Sequence, residues 1–484
     1  MKNLFGRKRI VTNYTEVNQY NVRDFIKKTM PTHLKNAAEM QYLFDYYRGK
    51  QPILCRTKEV RSDIIDNTVI NHAQEIVSFK VAYLLSEPIV YVGRHGDDGE
   101  SESLNQLNDW MTSADKTTHD KEIADDFNIC GVAMRMVYPS EKGSDVPFED
   151  WVLDPMKSYV AYENTPAKNS RKVAGVTFVE NEVDGKTVKT FEVYTDRLHI
   201  TVTDDKVTHV EVNQIGVIPI VEYVNNEFRM GSFEPVLSIM DAINTLESNR
   251  VEATEQNVQA LLWFNDIEMD PDTVESLKTN PSAFVFTRSV VGGATPSIKS
   301  VAVELQQADQ QVLANDLYKS ILQITGMPST GDGNTSDSSN NGSTIVRNGW
   351  QHAEERAKDT AVLWKRSDRE FLRAVFSICN TKSGFNGIDV SCVDLKFTRR
   401  TYEDTMSKAT VLTSLLGCDK VAPKVAYAVS NIVPDPEEAC KQGMEWYEEQ
   451  EKKAQEQAEL EFNRQQQVAQ ANRSDSTASD NERN

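Results

Sequence analysis

Fourteen consecutive residues without an apolar side chain, Ser329 to Gly342, constrain the fold of this 484-residue chain more than any other feature. A segment of this composition cannot be stabilised by burial, so we expect it to form a mobile loop. Apolar residues at helical spacing flank it over 308–325, where Gly326 and Pro328 end the pattern, and over 343–379. The sequence therefore predicts a polar loop presented between two substantial helices, which is not the arrangement of a catalytic pocket.

Another helix is expected before this pair. It begins after Gly231, with Ser232 as its N-cap and Glu234 in its first turn. Its early half carries an apolar stripe, whereas residues 247–257 are mostly polar, and their charged residues are mainly acidic. Short strand patterns follow within 263–305. A small β-rich segment is therefore expected between this helix and the helix over 308–325.

The rest of the chain contains both kinds of secondary structure, which places it in the α+β class. Residues 1–230 are expected to be poorly ordered over the first twenty residues, then helical, and then an antiparallel meander. The helices are predicted at about 31–48, 67–86 and, as two stretches, within 101–128, and Pro52–Leu54 is predicted to be extended. Toward the C-terminus, helices are predicted at 405–416, at 421–429 and from 434 onward.

The charge is strongly acidic and unevenly distributed. The net charge is −20, yet residues 1–60 contain 12 Lys and Arg against 5 Asp and Glu, whereas residues 231–270 contain one Arg against 8 acidic residues. Tight DNA binding requires cations that neutralise phosphates, which excludes an ordinary DNA-binding protein. An acidic wall could still surround DNA loosely by repelling it. Simple solubility is the alternative explanation of the acidic residues.

Sequence motifs give no indication of covalent chemistry. The chain has no phosphate-binding P-loop, no HExxH zinc motif and no GxSxG nucleophile elbow. Its six cysteines show no CxxC spacing and are expected to be reduced thiols, so no catalytic residue, metal or cofactor is predicted. His72 and His352 are expected to be structural, and Trp350 and Trp364 to form core or subunit contacts. No apolar run approaches a membrane span, and no secretory signal is expected.

Several motifs in order resemble those of tailed-bacteriophage portal proteins of the SPP1 type. Tyr46-Tyr-Arg-Gly-Lys-Gln-Pro-Ile53 and Asn71 to Tyr91 resemble two N-terminal patterns of that family, with Ser86 where the family usually has Gly. Gly216 to Asn226, followed by Phe233 to Asn244, is similar to the passage leading into the family's stem. The resemblance covers about residues 40–450.

This resemblance implies a portal-like protomer with a wing, a helical stem, a small β-containing clip and a helical crown. The implied parts are the wing 1–230, stem helix 231–262, clip 263–305, stem helix 306–326, tunnel loop 327–343, long wing helix and strand 344–399, crown 400–455 and disordered tail 456–484.

The resemblance also implies a role at one capsid vertex of the virion, after assembly in the host cytoplasm. A ring of twelve subunits would pass double-stranded DNA and bind the terminase large subunit, a neck adaptor, and the major capsid and scaffolding proteins. The DNA-facing loop residues expected are Ser329, Thr330, Asn334, Ser336, Ser338, Asn340 and Asn341, and the acidic channel candidates are Glu247, Glu252 and Glu255. The solvated outside of the ring is the other location considered for these acids. Another virion neck or head protein and a nucleic-acid enzyme remain as alternatives.

Overall fold

The computed structural model describes most of the chain, and the account below is restricted to those residues. They are 5–58, 65–94, 98–141, 143–183, 186–258, 261–265, 284–287, 297–301, 307–329, 349–382, 389–399, 405–418, 420–430, 432–433, 436, 439–458 and 460. They belong to two compact units, one containing the described residues up to Arg399 and the other those from Thr405 onward.

Four helices form the first part of the larger unit. They are α1 (Val22–Tyr47), α2 (His72–Leu84), α3 (Asp98–Ser113) and α4 (Lys116–Cys130). The predicted start of α1 near Pro31 was wrong, because this proline lies inside the helix. Burial of Val22, Phe25 and Met30 offsets the one hydrogen bond that Pro31 cannot donate. Pro52–Leu54, predicted to be extended, belongs instead to a 3₁₀ turn over Pro52–Cys55.

The meander predicted after these helices is confirmed. A six-stranded sheet has the order β1-β5-β6-β7-β8-β9, in which only the β1–β5 pair is parallel, and a second antiparallel sheet has the order β10-β3-β4. Their strands are β1 (Val11–Thr12), β3 (Val132–Pro139), β4 (Phe148–Leu153), β5 (Ser158–Glu163), β6 (Lys172–Val183), β7 (Lys186–Tyr194), β8 (Leu198–Thr203), β9 (Lys206–Val212) and β10 (Ile220–Val224). A two-stranded sheet pairs β2 (Val90–Gly93) with β14 (Val393–Lys396).

The expectation of a poorly ordered N-terminus was wrong for residues 5–20. The N–H of Tyr162 donates to the carbonyl of Ile10 at 2.9 Å, which attaches β1 to the edge of the sheet. The side chains of Ile10 and Val17 are buried. A polar composition therefore concealed an edge strand.

A long helix, α7 (Trp350–Lys382), crosses the core of the larger unit. At 1.5 Å per residue its 33 residues extend for about 50 Å, as expected for the long helix. Trp364 and Phe371 are almost fully buried among residues of α4 and β10. The predicted cap Ser343 lies outside the described residues.

Two further helices and a small sheet complete this unit. The helices are α5 (Leu237–Val258), preceded by a 3₁₀ turn at Glu234–Val236, and α6 (Gln307–Thr325). Ser232 is not an N-cap, since its hydroxyl donates to Asn128 Oδ1 at 2.5 Å. The sheet between the helices has the order β12-β11-β13, with β11 (Leu261–Asn265), β12 (Phe284–Thr287) and β13 (Ser297–Val301). Strand β11 was not predicted.

The smaller unit is helical where it is described. It contains α8 (Thr405–Leu416), at the predicted bounds, α9 (Pro423–Ser430), and a helix over 439–458. Among the described helices of the whole chain, none is both long and apolar enough to cross a membrane.

Candidate functional site

Helices α5 and α6 pack against each other in antiparallel directions. Near the end of α5, Arg250 Nε donates to Gln307 Oε1 at 3.2 Å, at the start of α6. At the opposite end, α6 contacts the 3₁₀ turn that precedes α5. The small sheet is thus connected to one end of this pair, and the chain leaves the other end through Pro328 and Ser329.

The start of the α5 segment is fixed to the N-terminus by a buried ion pair. Arg7 Nη2 donates to Glu234 Oε1 at 2.8 Å, and both side chains are almost completely excluded from solvent. The same carboxylate accepts the N–H groups of Gly6 and Gly231, both at 2.9 Å. Arg7 also pairs with Glu39 at 3.0 Å, so helix α1 takes part in this junction.

One polar stripe of α5 binds an extended segment of the same chain. Three residues spaced one helical turn apart, Asn244, Ser248 and Glu252, accept backbone N–H groups from alternate residues of the segment 66–70. The hydrogen bonds are Ile70 N–H to Asn244 Oδ1 at 2.9 Å, Thr68 N–H to Ser248 Oγ at 3.1 Å and Asp66 N–H to Glu252 Oε1 at 3.2 Å. Two residues of extended chain advance by about 6.6 Å and four helical residues by about 6 Å, which explains the match.

Glu252, one of the predicted channel residues, is buried where it binds this segment. Glu252 is 3 % exposed, and its carboxylate pairs with Lys58 and, at 3.8 Å, with Arg56. Burial alone would raise its pKa, but hydrogen bonds from Lys58 and from the Asp66 N–H, together with the charge of Arg56, lower it. The carboxylate of Glu252, one of the three predicted channel acids, therefore lies inside the described subunit and is paired with two cations.

The other two acidic candidates occupy different environments. Glu247 is half-buried and accepts two hydrogen bonds from Arg250 Nη1, at 2.8 and 2.9 Å. Glu255 is exposed on α5. Of the three predicted acids, only Glu255 thus presents an exposed side chain on the described subunit.

The predicted loop lies largely outside the described residues. Of its expected DNA-facing residues, only Ser329 is described, and it is half-buried; those outside are Thr330, Asn334, Ser336, Ser338, Asn340 and Asn341. Met327 N–H donates to the Leu322 carbonyl at 2.9 Å, and Gly326 adopts a φ of +72°, which ends α6 as a helix cap. A Cβ added at Gly349 would lie 3.8 Å from Pro328 Cα, so the chain leaves and re-enters the unit at nearly the same place.

A buried charge cluster connects α7 to the rest of the core, and it was not predicted as a unit. Asp368 accepts hydrogen bonds from the hydroxyls of Tyr91, at 2.6 Å, and Tyr223, at 2.7 Å. The fully buried Arg135 lies 3.6 Å from Asp368 and donates to Asp120 at 2.6 Å. Burial raises the pKa of Tyr223 well above its ordinary value, and the negative charge of Asp368 adds to this.

The cluster continues to the surface through two more groups. Asp150 pairs with Arg135 at 3.0 Å and with His119 Nδ1 at 3.2 Å. The hydrogen bond to Asp150 raises the pKa of His119. Two sequence signals could have indicated the cluster: Arg135 lies in the middle of an apolar strand, and Asp368 interrupts the apolar stripe of the long helix.

The described residues contain no group of His, Cys, Asp and Glu side chains able to hold a metal ion. His72 has the structural role that was expected, since Nδ1 lies 2.7 Å from Glu75 Oε2 and its ring lies against Tyr318. The arrangement is therefore one of braced helices and junctions within the described part of the chain.

Comparison with known proteins identifies one family. The family described as "Phage portal protein, SPP1 Gp6-like" matches residues 26–460. No curated protein matches the chain. Among solved structures, a chain of the virion of a native gene transfer agent particle is similar, with 11 % identity, 75 % of this chain and 90 % of that chain covered, and a TM-score of 0.42.

Proposed function

This chain belongs to the SPP1 Gp6-like family of phage portal proteins, and from that membership we propose which of its parts perform the work of a portal. A portal protein forms a homo-oligomeric ring in the phage head, and the ring is the conduit for DNA packaging and ejection. Portal proteins are structural and non-enzymatic, so the alternative of a nucleic-acid enzyme is not retained.

The antiparallel α5–α6 pair supports this assignment of parts more than any other observation. We assign the stem to 231–262 and 306–326, since the two helices brace each other along their length. The clip is assigned to 263–305, at one end of the pair, and the tunnel loop to 327–343, at the other. A loop that leaves and re-enters at one place, between Pro328 and Gly349, can change position without disrupting the packed helices.

The remaining parts are assigned from their position along the chain. The wing comprises residues 1–230 together with 344–399, because α7 packs into the same core as the N-terminal helices and β10. The crown is assigned to the helical residues 400–455. Ring formation requires a different surface on each side of the subunit, since head-to-tail contacts are heterologous.

The channel lining is proposed to include Glu255 and, in part, Glu247. An exposed carboxylate repeated around a ring would repel DNA phosphates over about 8–10 Å at physiological salt, which prevents the duplex from adhering to the wall. Glu247 contributes less because Arg250 neutralises it. The polar loop residues Ser329, Thr330, Asn334, Ser336, Ser338, Asn340 and Asn341 are proposed to face the DNA.

The partners are proposed to follow this arrangement. Twelve subunits form the ring at one capsid vertex, after assembly in the host cytoplasm, and double-stranded DNA passes through it. The clip binds the terminase large subunit during packaging and a neck adaptor afterward. The wing contacts the major capsid and scaffolding proteins.

Deleting residues 330–340 tests the assignment of the loop. The deletion should leave rings with a central hole in negative-stain images, because the braced stem does not depend on the loop, and should reduce DNA packaging or retention. Replacing the same residues by a Gly/Ser linker of equal length separates the presence of a loop from its sequence. Loss of ring formation in the deletion would show that the loop assignment is wrong.

A further inference from the structure

A small cavity lies beside the capped end of α6. Its lining includes Lys80 from α2, Asn128 from α4, Gly326 after α6, and Arg356 from α7. The centre of a water-sized sphere can occupy about 30 Å³ of it, whereas one water molecule needs about 10–15 Å³. The cavity is thus large enough for a polyatomic ion where four elements meet.

Its two cations are not paired with acids. Within the part of the chain that the structure describes, neither the Lys80 nor the Arg356 side chain makes a hydrogen bond or an ion pair. Burial lowers the pKa of Lys80 to about 8, and the positive charge of Arg356 adds to this effect. Two like charges near one cavity repel each other, so an anion between them would remove a cost present in the empty site.

Glu354, an acid two positions before Arg356 on α7, is already neutralised. Glu354 binds Arg399 through Nη2 at 2.9 Å and Nε at 3.1 Å, accepts the hydroxyl of Tyr83 at 3.0 Å, and lies 3.7 Å from Lys358. Its charge is therefore matched by other cations. The excess positive charge at the cavity remains available to a ligand.

Gly326, at the edge of the cavity, leaves room for the side chain of Arg356. A Cβ at position 326 would lie 2.8 Å from Arg356 Cγ, so only glycine lets this side chain lie across the end of α6. The φ of +72° independently favours glycine there. Arg356 is exposed on its helix, which leaves a route from solvent to the cavity.

We propose that Lys80 and Arg356 bind a phosphate dianion in this cavity. A phosphate group near neutral pH carries a charge of about −1.5 to −2, which matches two cations, whereas a single carboxylate would leave one unbalanced. The guanidinium suits two phosphate oxygens, and the lysine ammonium supplies a compact third contact. The phosphate is either free in solution or a terminal phosphate of a nucleic acid. The site does not depend on the proposed function of the ring.

Calorimetric titration of the full chain with inorganic phosphate, at fixed ionic strength in chloride, tests this site. The natural chain should bind phosphate, and Lys80→Met and Arg356→Met should each weaken binding by about tenfold or more, as expected for a lost charged hydrogen bond. Lys35→Met is the matched control, because Lys35 is an exposed lysine on α1 outside the cavity. It should bind phosphate like the natural chain.

Thermal unfolding provides a second readout that does not require the variants to bind. Without phosphate, Lys80→Met should unfold at the same or a higher temperature than the natural chain, because a repelled cation has been removed. With phosphate, only the natural chain and Lys35→Met should gain stability. If Lys80→Met unfolds at a lower temperature than the natural chain without phosphate, Lys80 stabilises the end of α6 in the absence of a ligand. That result would overturn the proposal.

The phosphate source is distinguished by competition. Displacement of inorganic phosphate by a 5′-phosphorylated duplex, but not by the unphosphorylated duplex, would assign a nucleic-acid terminus; displacement by neither would assign free phosphate. Equal displacement by both duplexes would contradict the proposal that the site binds a phosphate dianion, because the two duplexes differ only in the terminal phosphate. Absence of phosphate binding to the natural chain would overturn the site.

Discussion

Asn244 Oδ1 accepts the backbone N–H of Ile70 at 2.9 Å, although the two residues are 174 positions apart. The amide nitrogen of the same side chain donates to Gln51 Oε1 at 2.5 Å, and Asn244 is fully buried. A helix proposed to belong to the stem is thus held to a segment proposed to belong to the wing. The bonds run from side chain to backbone, so they do not depend on the identity of the side chains in the segment 66–70.

Asn244→Ala should lower the free energy of unfolding by about 1–3 kcal/mol, because it removes the acceptor of the half-buried Ile70 N–H and the donor to Oε1 of the buried Gln51. Asn249→Ala, at an exposed position of the same helix where the side chain accepts one hydrogen bond from Arg56 at 2.7 Å, should change it by less than about 1 kcal/mol. Urea unfolding of both variants measures the difference. Equal effects would show that the segment 66–70 is not held by this stripe.

Substitutions at Glu252 and at Glu255 should have different effects: the first should lower the stability of the subunit, and the second should change DNA passage. Glu252→Gln should destabilise the subunit by about 1–3 kcal/mol, since Lys58 and Arg56 lose a buried partner. Glu255→Gln should leave stability within about 0.5 kcal/mol, as for other surface substitutions. In a packaging assay, Glu255→Lys should slow DNA passage, because each subunit would present a cation to the phosphates. If DNA passes normally in Glu255→Lys, the proposal that Glu255 lines the channel is wrong.

Asp368→Asn should be among the most damaging single substitutions in the larger unit. Arg135 and two tyrosine hydroxyls would lose a buried anion, which costs about 3–5 kcal/mol when one partner of a buried pair is removed. Asp394→Asn is the control, since Asp394 is half-exposed and its pair with Lys365, at 3.2 Å, contributes about 0–1 kcal/mol. Chemical denaturation compares the two, and a mild effect of Asp368→Asn would show that the cluster is dispensable.

Asp126 gives the fold a dependence on pH. Burial raises its pKa to about 7, and the negative charges of Asp154, Asp125 and Glu122 add to this. Between about pH 4 and pH 7, Asp126 therefore keeps its proton in the folded chain but has lost it in the unfolded chain. Stability from this group is complete below about pH 4 and is lost as the pH rises through about 7.

Asp126→Asn should accordingly stabilise the protein at pH 8, by on the order of 1 kcal/mol, and should have less effect at pH 5. Thermal unfolding between pH 5 and 8 shows this as a flatter profile than that of the natural chain. Asp109→Asn, a substitution of the same kind on α3, should leave the profile unchanged. A variant with an unchanged slope would contradict the assignment of this titration to Asp126.

Elements whose pattern is local were predictable from the sequence. Helix α8 has the predicted bounds, and the meander strands follow their alternation, because apolar periodicity and turn residues act over a few neighbouring positions. Strand β9 and the edge strand β1 were missed, since pairing at a sheet edge requires little burial and leaves no apolar alternation.

Partners far apart in the chain could not be predicted. Residues 247–257 indicated only an acidic helix, and nothing in residues 66–70 shows that their N–H groups would occupy one stripe of it. Asp368 and Arg135 were each anomalous in an apolar setting, but a single sequence does not show which two buried charges meet. The predicted channel acids were chosen by charge alone, and Glu252 shows that charge does not determine exposure.

The closeness of Pro328 to Gly349 has a practical consequence for experiments on the assembled particle. An insert whose two ends are adjacent can be exchanged for a sequence of another length without a change in the spacing of its anchors. A short peptide carrying a fluorophore attachment site could therefore replace residues 330–340 in every copy and, because this loop is proposed to face the DNA, report when the genome arrives and when it departs.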